Sequence, residues 1–125
     1  MLLSKIFYLV ELHTLRNSRR IVRVLYKKDL MGKIDKEELI EKFIFELPIL
    51  RARVDMTQDE ISEMIGVSRQ TYSSIETKKR KMSWCQYMSL LFVFYYNPAT
   101  KEAVENAGVF PEELKGLLCT DNRKR

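Results

Sequence analysis

Residues 50–81 read LRARVDMTQDEISEMIGVSRQTYSSIETKKRK, and their spacing decides the fold. The stretch divides into short amphipathic helices separated by tight turns, with a basic run at its end. Thr57 stands ahead of Gln58, Asp59 and Glu60 as an N-cap, its hydroxyl accepting from the free amides of the first turn. Glu60, three residues on, completes a capping box, and Asp59 and Glu60 both suit the positive end of a helix. Ile61, Met64 and Ile65 follow as one apolar stripe at helical spacing. Gly66 ends that helix, where a left-handed residue costs least. Val67 is placed to plug the core from the turn. Ser68 caps a second helix whose buried face is Tyr72 and Ile75. Small Ser62 lies on the inner side of the first helix, where the second can approach closely. The register of Tyr72 on the apolar face makes it a core residue rather than a platform for stacked bases. Each local choice agrees with the same tertiary unit.

This segment resembles the Cro/XRE-type helix-turn-helix repressors of bacteria and phages. Leu50-Arg51 followed by Met56-Thr57-Gln58 is similar to that family's first-helix signature. Ile65-Gly66-Val67-Ser68 is similar to its turn, and Arg69-Gln70-Thr71 with Ile75-Glu76 to its recognition helix. The resemblance runs from near Leu47 to Phe110. Asp55 stands where the family often has glycine, and Thr77-Lys78 where it often has Asn-Gly. Asp tolerates a left-handed conformation. Lys does so less comfortably, so the turn after the recognition helix is expected to take another shape.

The resemblance implies an all-α fold, a lambda-repressor-like domain of four to five helices, here with an additional helical N-terminal segment. It also implies roles. Gln58 anchors to a phosphate through its side chain and its helix N-terminus, while Thr57 and Ser68 fix helix ends or phosphates. Arg69, Gln70 and Ser73 face outward to base edges, with Thr71 and Ser74 beside them. An Arg–guanine or Gln–adenine pair each supplies roughly 1–3 kcal/mol of discrimination. Lys78, Lys79, Arg80 and Lys81 neutralise phosphates beside the groove, a salt-sensitive and sequence-independent contribution. Arg51 and Glu76 form an internal ion pair.

Charge distribution agrees with contact to a polyanion on one face. The 125-residue chain has net charge +5 and a pI near 9.2. Residues 1–34 carry eight Lys/Arg against two acids, and residues 67–81 carry five against one. Residues 35–66 invert the balance, with nine acids against four bases. Positive charge therefore sits at the amino end and on the second helix of the motif.

Several chemistries find no support. Cys85 and Cys119 lie far apart without a CxxC partner, so zinc and redox motifs are absent, and both are expected to stay reduced. His13 is the only histidine, which rules out a His-based metal cluster or triad within one chain. No Walker loop or GxGxxG occurs. Glu37-Glu38 and Glu112-Glu113 are adjacent on helices and face different ways, as solvated faces do. Glu11 and His13 interrupt the apolar opening, and no small-residue cleavage site follows it, so it does not read as a signal peptide. Leu90–Tyr96 is apolar but too short to span a bilayer. No catalytic residues, metal, cofactor, membrane contact or small-molecule substrate are expected.

Outside the motif, Ser83 caps a helix lined by Trp84, Tyr87, Met88, Leu91, Phe92 and Tyr95, which Asn97-Pro98 ends. Lys101–Asn106 forms a shorter helix closed at Gly108, and Pro111-Glu112-Glu113-Leu114 starts another. Leu90–Tyr96 is apolar almost all round, which points to deep burial or to a share in a dimer interface. Residues 121–125 form a basic tail. Towards the amino end, Ser4–Leu15 and Arg19–Met31 read as helices, the second stopping at Gly32. Asp35 caps a third over Lys36–Glu46, with Glu38 completing its box, and Pro48 opens the next. The expected division is a basic helical extension over residues 1–46, the helix-turn-helix domain over 47–118 and a tail over 119–125. The extension suits dimerisation, contact with flanking phosphates through Arg16, Arg19, Arg20 and Arg23, or simple packing.

The expected protein is a cytoplasmic, nucleoid-associated regulator, a homodimeric repressor of double-stranded DNA with a pseudo-palindromic operator. Two rivals come from other classes. One is a protein-interaction module, an antitoxin or phage-type inhibitor on the same fold. The other is a DNA-processing enzyme with this domain as its targeting part, for which no metal-binding cluster is present.

Overall fold

Asp35 opens the first long helix in a computed structural model that describes residues 31–118 together with Leu25, Lys28 and Asp29. Helix α1 spans Lys36–Arg53, α2 Gln58–Ile65, α3 Arg69–Glu76, α4 Trp84–Tyr95, α5 Lys101–Asn106 and α6 Glu112–Leu118. Every regular element among the described residues is a helix, an all-α arrangement. It divides into two units, residues 35–111 and residues 1–34 with 112–125.

In the second of these units, Met31, Gly32 and Lys33 are helical, so the helix passes through Gly32 instead of ending there. Lys33 pairs with Asp29 one turn back, at 3.3 Å, which favours that extra turn. Leu114 is the buried residue of α6. The expected helix Ser4–Leu15, most of Arg19–Met31 and residues 119–125 lie outside the described residues.

The unit of residues 35–111 is built on α1. The Asp35 carboxylate accepts from the Glu38 amide at 3.1 Å, but the expected box does not close, because Glu38 pairs with Lys42 instead. A second expectation also fails. Pro48 does not start a new helix; it sits inside α1, which crosses residues 46–47 without a break. An interior proline costs about 3 kcal/mol through one lost hydrogen bond and a clash. Leu47 and Leu50 on either side of it are fully buried, each stabilising by roughly 1.5–3 kcal/mol. Burial along one face outweighs the break.

Phe43 lies at the centre, its ring edge-on to Tyr87 at 5.2 Å and to Phe94 at 6.3 Å. Both partners come from α4, whose Ser83 and Gln86 form a reciprocal capping box. α4 buries Tyr87, Leu90, Leu91 and Phe94, and the Tyr87 hydroxyl donates to the Val109 carbonyl. Phe92, expected on the inner face, is 65% exposed. With residues 87, 90, 91 and 94 turned inward, the helical repeat carries position 92 to the opposite side. Met64 departs from its expected stripe for the same reason and is 59% exposed, leaving Ile61 as the fully buried member. α4 stops before Asn97-Pro98, where the Asn97 side chain accepts from the Ala99 amide at 3.0 Å. Thr100, unmarked in the sequence, is fully buried and donates to the Phe94 carbonyl at 2.6 Å.

Three successive corners share one design. Asp55, Gly66 and Lys78 take positive φ, at 53°, 76° and 61°. At each, the next amide reaches back five residues: Met56 to Arg51, Val67 to Ser62 and Lys79 to Ser74, at 3.1, 3.0 and 2.8 Å. The left-handed residue itself donates three residues back, to Ala52, Glu63 and Ile75, completing a Schellman closure. Lys78 thus adopts the left-handed conformation in place of glycine, and the expected change of turn shape does not occur. Buried Ile75 and Met82 on either side of the loop hold it against a cost of roughly 1–2 kcal/mol. Among the described residues no helix is long and apolar enough to cross a membrane.

Candidate nucleic-acid interface

The first turns of α2 and α3 are fixed by their own caps. Thr57 accepts from the Glu60 amide at 3.2 Å, and the Glu60 carboxylate accepts from the Thr57 amide at 2.8 Å. That amide, with the Thr57 hydroxyl, holds the Glu60 carboxyl below its usual range. Ser68 accepts from the Thr71 amide at 3.1 Å and donates its hydroxyl to Thr71 Oγ1 at 2.9 Å. The Thr71 hydroxyl is therefore already engaged within the cap, and Thr71 is half-buried. Between the helices Ser62 is buried where α2 and α3 pack, its hydroxyl turned to the Asp59 carbonyl at 2.8 Å.

Burial orients α3. Tyr72 and Ile75 are fully buried. Arg69 and Gln70 are exposed, and Ser73 and Ser74 are half-buried along the same outward strip. Lys78, Lys79, Arg80 and Lys81 are all exposed in the loop that follows. Gln58, at the start of α2, is half-buried. Thr77, at the end of α3, donates its hydroxyl to the Ser73 carbonyl at 2.8 Å.

Arg51 ties three segments together. Its Nη2 donates to Glu76 Oε1 at 3.0 Å and its Nε to Oε2 at 3.3 Å, a two-point clamp from α1 onto the end of α3. Its Nη1 donates to the Met56 carbonyl in the loop before α2, at 3.2 Å. The Glu76 side chain is only 8% exposed and that of Arg51 24%. The hydrogen bond it donates to Glu76 holds the arginine all the more firmly in its charged form. The Tyr72 hydroxyl lies beside the pair, buried and without a well-formed hydrogen bond. Burial, reinforced by the Glu76 carboxylate, pushes its ionisation upward, so it stays neutral.

The helix-turn-helix family model (HTH_3) matches residues 49–83, from the last turn of α1 to the cap of α4. Residues 49–83 are a Cro/XRE-type helix-turn-helix, a DNA-binding unit. Comparison with curated proteins returned no match, and neither did comparison with solved structures. Within the helix-turn-helix, α3 is the second helix, and its exposed strip and the basic loop share one end of the unit's chain.

One contact of this helix-turn-helix was not anticipated. Asp59 Oδ2 lies 3.6 Å from Arg69 Nη1, linking the first turns of α2 and α3. The signal was present in part: a carboxylate second in one helix and a cation first in the next. Only the crossing of the two helices brings them together. Arg16, Arg19, Arg20 and Arg23 lie outside the described residues. Cys85 is exposed on α4 with a free thiol. Among the described residues no group of three His, Cys, Asp or Glu is placed to hold a metal ion.

Proposed function

We propose that the protein is a homodimeric, sequence-specific transcriptional repressor that lays α3 in the DNA major groove. The observation that carries this reading is the orientation of α3: Arg69 and Gln70 face solvent while Tyr72 and Ile75 are locked in the core. In this reading Arg69, Gln70 and Ser73, flanked by Thr71 and Ser74, meet base edges. Thr57, Gln58 and Ser68 sit at helix N-termini that favour phosphates, and Lys78, Lys79, Arg80 and Lys81 supply salt-dependent attraction. Arg51 and Glu76 keep α3 at its angle. The basic residues ahead of α1 add flanking contacts or a dimer element.

A dimer presents two such helices to successive major grooves, roughly 34 Å apart, and so reads a pseudo-palindromic operator. Support for self-association comes from an uncharged groove between α2 and α4, lined by Met64, Ile65, Phe92, Val93 and Tyr96. Phe92 and Tyr96 are both exposed there, their rings 4.7 Å apart. Such a protein works in the cytoplasm on the nucleoid, by occupying a promoter. The same apolar groove also suits the rival reading, in which the fold binds a protein instead of DNA.

Gel shift separates the two. At low salt the chain should bind random duplex through phosphate contacts alone, and no shift there would leave the protein-binding module as the better account. Gln70→Ala should relax preference at one operator position, whereas Lys79→Ala should weaken all duplexes alike and lower the salt slope. Equal, sequence-blind losses from both variants would remove Gln70 from the base-reading set.

A further inference from the structure

We propose that Asp59 is a specificity-determining positioning residue that holds Arg69 for a base and away from phosphates. The inference rests on the DNA-reading role of α3 argued above. Asp59 is the second residue of α2 and Arg69 the first of α3, and both first turns are pinned by side-chain caps. The backbones that carry the two side chains are therefore fixed. The side chains themselves remain in solvent, each 65% exposed, with Oδ2 and Nη1 3.6 Å apart.

Three features give this contact a functional meaning. First, an exposed pair with a single contact contributes little to folding, so stability does not explain its presence. Second, the contact uses only Nη1 of Arg69, which leaves the other edge of the guanidinium fork to meet the O6 and N7 of a guanine. Third, Arg69 differs from the other cations of this segment. Among the described residues, Lys78, Lys79, Arg80 and Lys81 have no carboxylate partner, and Arg69 has one. An unpartnered cation gains by releasing counterions from any phosphate it meets, whatever the sequence. A cation with the Asp59 carboxylate beside it has less to gain there. Its remaining advantage is the geometry of a base edge.

The test measures binding of the full chain to two duplexes over a salt series: one selected by the wild-type protein and one random. Asp59→Ala is compared with wild type, and again in an Arg69→Ala background, with circular dichroism confirming that each variant folds. Asp59→Ala is expected to lower the ratio of selected to random affinity about tenfold and to steepen the salt slope on random duplex by about 0.9. In the Arg69→Ala background the same substitution should leave the ratio unchanged. The proposal is overturned if Asp59→Ala strengthens both duplexes by one common factor in both backgrounds, because Asp59 then acts as a bare charge. It is overturned equally if the ratio does not move. Failure of the wild-type chain to bind any duplex is a different result. It removes the DNA-reading role of α3, and this proposal with it.

Discussion

Arg51 shows how one residue sets the angle of a helix eight residues long. Its guanidinium clamps Glu76 at two points and the Met56 carbonyl at a third. Glu76 is nearly buried, so Arg51→Met leaves a carboxylate without a partner and should cost about 2–3 kcal/mol in urea unfolding. Adding Glu76→Leu should recover most of that loss. Additive losses in the double variant would show that the two residues act separately. Tyr72 gives the opposite expectation. Its hydroxyl is buried and poorly satisfied, so Tyr72→Phe should leave stability unchanged or raise it by up to about 1 kcal/mol. A loss of that size would instead show that the hydroxyl bonds to Glu76.

At the scale of elements, three successive corners use one device with three different residues. Gly66 takes a left-handed φ freely, Asp55 tolerates it, and Lys78 is strained by it. Glycine at position 78 would relieve the strain, yet Lys78 is also an exposed cation beside α3. Lys78→Gly should therefore stabilise the fold by about 1 kcal/mol. It should also weaken binding to every duplex and reduce the salt slope by about 0.9. Urea melts and salt titrations measure the two effects separately. A variant that gains neither stability nor a shallower slope would mean that the loop rearranges around the new residue.

For the molecule as a whole, the exposed part of α4 is the surface on which the proposed self-association is tested. Phe92 is 65% exposed, so Phe92→Glu should change the stability of the monomer by less than about 0.5 kcal/mol. On the proposed reading, in which the groove between α2 and α4 carries a dimer, the variant should sediment as a monomer where the wild type self-associates, and bind DNA more steeply in protein concentration. Association equal to that of wild type would remove the groove from the proposed dimer interface.

The sequence by itself determined several helix ends and the buried face of α3. Thr57, Ser68 and Ser83 cap through local hydrogen bonds, Gly66 is chosen by local sterics, and Tyr72 and Ile75 follow from a repeat within one helix. Local interactions leave local traces. Tertiary structure decided what depends on neighbours distant in the chain. It carries α1 through Pro48, because buried leucines on both sides outweigh a lost hydrogen bond. It holds Lys78 in a conformation that its own chemistry disfavours. It turns Phe92 and Met64 outward, because the inner face of each helix is already filled by better-placed side chains. It also brings Asp59 to Arg69, since only the crossing of α2 and α3 sets the distance between residues ten apart in sequence.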